Sequence, residues 1–136
     1  MKAIRTLFEI LERRKRHMAL KKLNQFMKFD LDAFLSGKEI RCNEVGELVD
    51  YETKKHLGTK ITAVIVKDDT LYNSTDGKRV SNRYEQFNIN VLKDVNVPVD
   101  AKIMPVDVVK ATAYGEQGSP YKSKLSVTCK DIKVMP

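Results

Sequence analysis

Tyr84-Glu85-Gln86-Phe87-Asn88-Ile89-Asn90-Val91 alternates polar and apolar side chains. A period of two is that of a strand with one face buried and one exposed. Phe87, Ile89 and Val91 share the face that belongs to a core, while Tyr84, Gln86, Asn88 and Asn90 share the other. Upstream, Lys60-Ile61-Thr62-Ala63-Val64-Ile65-Val66-Lys67 is rich in β-branched residues, which suit a pleated surface. Segments 40–51, 103–114 and 124–134 read the same way. Turn chemistry separates them: Gly58, then Asn73-Ser74-Thr75-Asp76-Gly77, then Asn96-Val97-Pro98, then 115–120 with two glycines. No helical pattern among these segments is long enough for a βαβ unit. The reading is mostly β, with five strands closing into a small antiparallel barrel.

The segment ahead of the strands has a different period. Ile4, Leu7, Phe8 and Leu11 recur at helical spacing, and Leu20, Leu23, Met27, Leu31 and Phe34 do so in a second register. No Pro or Gly precedes Gly37. This predicts one long helix over 3–28, bent near 13–17. A short turn of helix over 30–35 follows, with Asp30 as N-cap and Gly37 as the stop. An isolated amphipathic helix needs a surface to cover its apolar side. Leu7, Phe8, Leu11, Leu20, Leu23 and Met27 are therefore the expected oligomerisation stripe, docking on this chain's own strands or on a neighbouring copy. Period, charge and aromatic type all change at Ser36-Gly37-Lys38. The boundary divides an N-terminal amphipathic α-helical arm, 1–38, from a β-domain, 39–136.

Charge divides at the same place. Residues 1–38 hold ten Lys/Arg against four acids, and 39–136 hold fifteen against fourteen, so nearly all of the net +7 lies in the arm. Four of the five Phe lie in the arm and all five Tyr in the β-domain. A basic arm beside a tyrosine-bearing body points to a polyanion with exposed bases. The Arg13-Arg14-Lys15-Arg16 cluster is either a solvated face or a contact with phosphate or an acidic partner.

Other classes find little support. The longest apolar run, Ala63-Val64-Ile65-Val66, is far short of the roughly 20 residues of a spanning helix. The N-terminus has no secretory apolar region, so a cytoplasmic location is expected. Cys42 and Cys129 are far apart and, with His17 and His56, make no metal-ligand spacing; they read as free thiols in a reducing compartment. No phosphate-binding glycine loop, HExxH or nucleophile elbow occurs. Asp68-Asp69 is an adjacent acid pair that reads as a turn cap rather than a metal clamp. The expectation is no catalytic residue, no metal, no cofactor and no small-molecule substrate.

Binding single-stranded nucleic acid needs a basic groove and aromatic faces on which bases stack. Five-stranded barrels of the OB type offer both on strands 2 and 3 and the flanking loops. The candidate binding residues are Lys60 on strand 2; Tyr72, Lys78 and Arg79 in the loop that follows; Arg83 and Tyr84 at the start of strand 3; and Tyr114, Tyr121, Lys122 and Lys124 around the last loop. On strand 3, Phe87 is the packing aromatic and Tyr84 the stacking one.

Two stretches carry a family resemblance: Gly58-Thr59-Lys60-Ile61-Thr62-Ala63-Val64-Ile65-Val66, and Val108-Val109-Lys110-Ala111-Thr112-Ala113-Tyr114 with Leu125-Ser126-Val127-Thr128-Cys129-Lys130-Asp131-Ile132. The β-domain resembles the OB-fold single-stranded-DNA-binding proteins of Gram-positive conjugative plasmids and transposons, the PrgE-like proteins. The resemblance covers about two-thirds of the chain. It implies binding to single-stranded DNA with little sequence preference, without catalysis or cofactor, in conjugation or replication of a mobile element. Housekeeping single-strand binding proteins carry Trp on the binding face and an acidic C-terminal tail; this sequence has no Trp and ends on Met135-Pro136. Coating of the strand by a homo-oligomer, joined through the arm, is the favoured expectation. The alternatives are a protein-interaction adaptor that uses the N-terminal helix, and an OB protein that binds RNA.

Overall fold

The computed structural model describes residues 19–73, 76–115 and 122–136. It has five strands: β1 (Lys38–Val49), β2 (His56–Asp68), β3 (Gln86–Val91), β4 (Lys102–Tyr114) and β5 (Lys124–Met135). Their neighbour order is β1-β2-β3-β5-β4, and the sheet closes in a ring. All pairings are antiparallel except β3 with β5, which is parallel. The seam is narrow. β1 and β4 pair only at Arg41 and Lys102. Beside that pair the Cys42 N–H donates to the Ala101 carbonyl at 2.9 Å, and the Asp100 N–H donates to the Cys42 carbonyl at 2.7 Å. The Glu39 carboxylate clasps the seam, 3.1 Å from Arg41 Nε and 3.4 Å from Lys102 Nζ. The Arg41 hydrogen bond and the Lys102 contact hold its pKa below the usual carboxylate value, against a smaller opposing effect of desolvation.

Alternation places the core inside the ring. Ile40 and Cys42 on β1, Ile61, Ala63 and Ile65 on β2, and Phe87, Ile89 and Val91 on β3 are buried, with Ile103, Val127 and Cys129. Each fully buried Ile is worth roughly 1.5–3 kcal/mol. The strand-3 reading holds for Phe87, Ile89 and Val91. Both thiols are free and buried, and burial pushes both pKa values up.

Helix α1 (Leu31–Leu35) caps one end of the ring. Asp30 is its N-cap, accepting from the Ala33 N–H at 3.1 Å, and Gly37 follows its end at φ +78°. Both features were legible because both are local. Leu31 and Leu35 are buried in the common core, and Phe34 meets Phe87 edge-on at 6.4 Å between centroids. The core thus reaches into the segment read as arm.

The long helix expected over 3–28 is not found in the described part of that segment. Residues 19–28 form only a 3₁₀ turn, Leu23–Phe26. Lys22 sits in the left-handed region at φ +62°, which a continuing helix does not admit. Leu20, Leu23, Phe26 and Met27 are all exposed, so no packing supplies the stability that helical periodicity alone lacks. The rest of the predicted helix, with Leu7, Phe8, Leu11 and the 13–16 cluster, lies outside the described residues.

Two further expectations shift. Gly58 lies inside β2 rather than between strands. A Cβ there would overlap the Val91 carbonyl oxygen and crowd the Lys93 nitrogen, so glycine permits a close backbone approach to the end of β3. The 92–101 connection that follows is tied down by Thr59, whose hydroxyl donates to the Lys93 carbonyl at 3.1 Å and accepts from the Val95 N–H at 3.0 Å. Tyr84, read as the first residue of strand 3, precedes β3.

Candidate nucleic-acid interface

Side chains that point away from the core form rows across the sheet, and the register shows which residues share a row. Thr62 is level with Asn88, Asn88 with Ser126, and Ser126 with Thr112. Lys60 is level with Asn90, Asn90 with Thr128, and Thr128 with Lys110. Toward the α1 end of the ring, Val64 pairs with Gln86 and Lys124 with Tyr114. Continuing the parallel β3–β5 register by two residues sets Gln86 level with Lys124. Adjacent strands lie about 4.8 Å apart, so β2 to β4 spans roughly 14 Å on this face. The face is a field of Thr, Asn and Ser with Lys60 and Lys110 on its lower row. Its upper row runs Gln86, Lys124, Tyr114.

Arg83 and Tyr84 stand beside Gln86 at the head of β3. Tyr84 is 65% exposed and has φ +73°, an uncommon conformation for a bulky side chain. Three bonds hold it there. The Tyr84 N–H donates to the Ile65 carbonyl at 2.6 Å, the Glu85 N–H donates to the Asn82 carbonyl at 3.0 Å, and the Ile65 N–H donates to the Glu85 carbonyl at 2.9 Å. The Arg83 guanidinium lies 4.8 Å from the Tyr84 ring centroid, within cation–π range. The turn thus presents one aromatic face and one cation together. A shallow cleft of about 520 Å³ lies behind them, lined by Val66, Lys67, Asp68, Asp69, Arg79, Ser81 and Arg83. Lys67 pairs with Asp69 at 3.4 Å. Neither Arg79 nor Arg83 has an ion-pair partner among the described residues.

Tyr72 has a different place from the one its sequence position suggests. Its hydroxyl donates to Asp68 Oδ2 at 2.6 Å and accepts from Asn82 Nδ2 at 3.0 Å. It is half-buried and belongs to a polar knot at the base of the 69–85 loop. Asp68 also accepts from the backbone N–H of Asn82 at 2.7 Å and of Thr70 at 3.1 Å. Desolvation alone would raise the Asp68 pKa; these donors outweigh it and hold the carboxyl well below the usual range. Facing Asp68 at 3.4 Å is Lys38 Nζ, and both side chains are wholly inaccessible. The ammonium donates to the Phe34 carbonyl at 2.6 Å and to Thr70 Oγ1 at 2.9 Å. It also lies 4.2 Å and 5.2 Å from the Phe34 and Tyr72 ring centroids. Asp68 does act as a turn cap, as its sequence context implies. Nothing in the sequence marks Lys38 as its partner, because the two meet only when β1 pairs with β2.

The other expected site residues divide in two. Lys60, Tyr114 and Lys124 lie on the rows described above, and Lys122 is exposed two residues before β5 begins. Lys78 and Arg79 are exposed in the loop, the Lys78 N–H donating to Asp76 at 3.0 Å. Tyr121 lies outside the described residues. Alternation alone puts Gln86 on the exposed face; Lys110 is not singled out from sequence, and only the register brings it level with Lys60. A groove of about 1180 Å³ separates residues 25–32 from 108–114, with Met27, Phe29, Val108, Val109 and Tyr114 among its lining and Lys28, Lys110 and Lys122 at its edge. Among the described residues, β4 has β5 along one side and meets β1 only at Lys102, so its 108–114 stretch fronts this groove.

At the opposite end of the ring, His56 sits between two carboxylates, Nδ1 2.9 Å from Glu47 and Nε2 2.5 Å from Asp94. The Glu47 hydrogen bond, then that of Asp94, raises its pKa. Among the described residues no His, Cys, Asp and Glu group is arranged to hold a metal ion, and no helix is long and apolar enough to cross a membrane. The chain matches no protein-family model, no curated protein and no solved structure.

Proposed function

We propose that this chain is a non-catalytic, non-sequence-specific single-stranded-DNA-binding protein built on an OB-type Greek-key barrel. Support for the barrel type comes from the strand order β1-β2-β3-β5-β4 with its one parallel pair. One observation carries the function. The register sets Gln86, Lys124 and Tyr114 in one row at the end of the face where the exposed Arg83–Tyr84 pair leads into β3. Bases would stack on Tyr84 and Tyr114, and Arg79, Arg83, Lys122 and Lys124 would follow the phosphates. Lys60 and Lys110 extend the cationic track along the face. Coating of the strand would proceed by homo-oligomerisation, with the N-terminal arm bridging copies. The exposed Leu20, Leu23 and Met27 and the open groove against β4 support that part. The same groove is the observation that favours the second reading, a protein-interaction adaptor. The resemblance to PrgE-like proteins supports a cytoplasmic role in conjugation or replication of a mobile element.

The test is fluorescence anisotropy on labelled oligonucleotides about 30 and 60 nucleotides long, as single-stranded DNA, duplex DNA and single-stranded RNA, at two salt concentrations. The expected result is a preference for single-stranded DNA that strengthens with length and falls with salt, since neutralised phosphates release counterions. Tyr84→Ala and Tyr114→Ala should each weaken binding by about five- to 150-fold, the range for one stacked base. Equal binding to all three substrates, untouched by both variants, would refute the reading. A preference for RNA would redirect it to the 2′-OH.

A further inference from the structure

The knot of Lys38, Asp68 and Tyr72 lies beneath the Arg83–Tyr84 turn, and the bonds between them are continuous. Asp68 accepts the Asn82 N–H, and the Asn82 carbonyl accepts the Glu85 N–H. Tyr84 sits between those two anchors, with its own N–H on the Ile65 carbonyl. A bulky residue at φ +73° persists only where its surroundings over-determine it. Here the surroundings are the knot on one side and the β2 end on the other. The knot is also rigid by construction. Asp68 accepts three hydrogen bonds and faces the Lys38 ammonium, Tyr72 OH is both donor and acceptor, and that ammonium is fixed by the last turn of α1 and by two aromatic rings.

We infer that Asp68 and Tyr72 are positioning residues for the nucleic-acid site: through Asn82 they hold the Tyr84 ring and the Arg83 guanidinium in the orientation that stacks a base. This inference rests on the stacking role proposed for Tyr84. It assigns Tyr72 a function other than direct contact with the ligand. A pre-set aromatic face needs no ordering when the strand arrives, so the affinity gained by stacking is not spent on fixing the loop.

Substituting Asp68 threatens the fold itself, because Lys38 would be left buried and unmatched. Tyr72→Phe is the sharper variant. It keeps the ring against Lys38 and removes only the hydroxyl between Asp68 and Asn82. Affinity for a 30-nucleotide single-stranded DNA is measured in the unaltered protein, in Tyr72→Phe, in Tyr84→Ala and in the double variant. The expected result is a loss of about three- to tenfold from Tyr72→Phe, the worth of one such hydrogen bond, and no further loss from it once Tyr84 is Ala. Amide exchange should quicken at Asn82 and Tyr84 in Tyr72→Phe while the Ile89 amide keeps its protection. Equal loss in both backgrounds would overturn the positioning role and make Tyr72 a direct contact or a general stabiliser. An unchanged affinity in Tyr72→Phe would overturn it as well. A Tyr84→Ala protein that binds like the unaltered one would instead refute the stacking reading beneath it.

Discussion

Replacing Asp68 by Asn tests whether the fold depends on one buried charge. The carboxylate accepts from the Tyr72 hydroxyl at 2.6 Å, the Asn82 N–H at 2.7 Å and the Thr70 N–H at 3.1 Å, and faces Lys38 Nζ at 3.4 Å. An Asn side chain keeps one acceptor oxygen and turns an NH₂ toward donors at the other position. Lys38 then stays at zero side-chain exposure without a counter-charge. Breaking a buried pair in this way costs about 3–5 kcal/mol. The lower end applies here, because Lys38 retains the Phe34 carbonyl, Thr70 Oγ1 and two aromatic faces. With a urea m-value on the order of 1.5 kcal/mol/M, a loss of about 3 kcal/mol lowers the midpoint by about 2 M. Urea unfolding followed by far-UV circular dichroism measures it. Lys38→Met should cost less than Asp68→Asn, since Asp68 would keep its three hydrogen bonds from Tyr72, Asn82 and Thr70. The reasoning fails if Asp68→Asn moves the midpoint by less than about 0.5 M, the behaviour of an exposed ion pair, or if Lys38→Met proves the more damaging of the two.

Three other outcomes follow from the same geometry. The acid limb of stability should carry the Asp68 signature: its folded pKa is depressed, so its contribution is present above the unfolded value near 3.9 and is lost as pH falls from there toward the folded value. Urea midpoints from pH 6 to pH 2.5 should show an acid-side loss that is smaller in Asp68→Asn. For His56 the sign is reversed: its folded pKa is raised, so its contribution is full below the unfolded value near 6.5 and is lost as pH rises through the folded one. An NMR titration should find the ring titrating above 6.5 in the unaltered protein and moving down in Glu47→Gln; no movement would exclude the bridge. Gly58→Ala should lower the melting temperature sharply, because its Cβ meets the backbone of Val91 and Lys93 rather than a side chain that can move. A melting temperature within a degree of the unaltered protein would mean that the two strands separate there at little cost.

What the sequence reveals and what it conceals divide along one physical line. Features with a local cause were legible. Alternation marked Phe87, Ile89 and Val91 as core, the Asp30–Gly37 spacing marked α1, and the β-branched run marked the centre of β2. Helical periodicity over 20–27 misled because period is a necessary condition for an amphipathic helix, not a sufficient one. The described residues supply no surface that covers Leu20 or Phe26. Tyr84 shows the opposite failure. Its place two residues before Gln86 puts it on the exposed face, although Glu85 already interrupts the apolar positions, and its backbone turns aside at φ +73° because its N–H and its neighbours' carbonyls are claimed by Ile65 and by a loop pinned on Asp68. Lys38 and Asp68 are 30 residues apart, and no pattern in either neighbourhood encodes the meeting. The proposed binding face has the same character: Gln86, Lys124 and Tyr114 fall in one row only through the β3–β5 and β4–β5 registers. All three lie at strand ends, and alternation already puts Gln86 on the exposed face, but their sharing one row becomes visible only when the ring is closed. A site built in this way depends on the ring remaining closed. Between β1 and the β4 side, that closure rests on the Arg41–Lys102 pair, the bonds of Cys42 and Arg41 to residues 100–101, and the Glu39 clasp. The seam, one strand beyond the Ile65 carbonyl that holds Tyr84, is therefore where a weakened fold should first cost affinity.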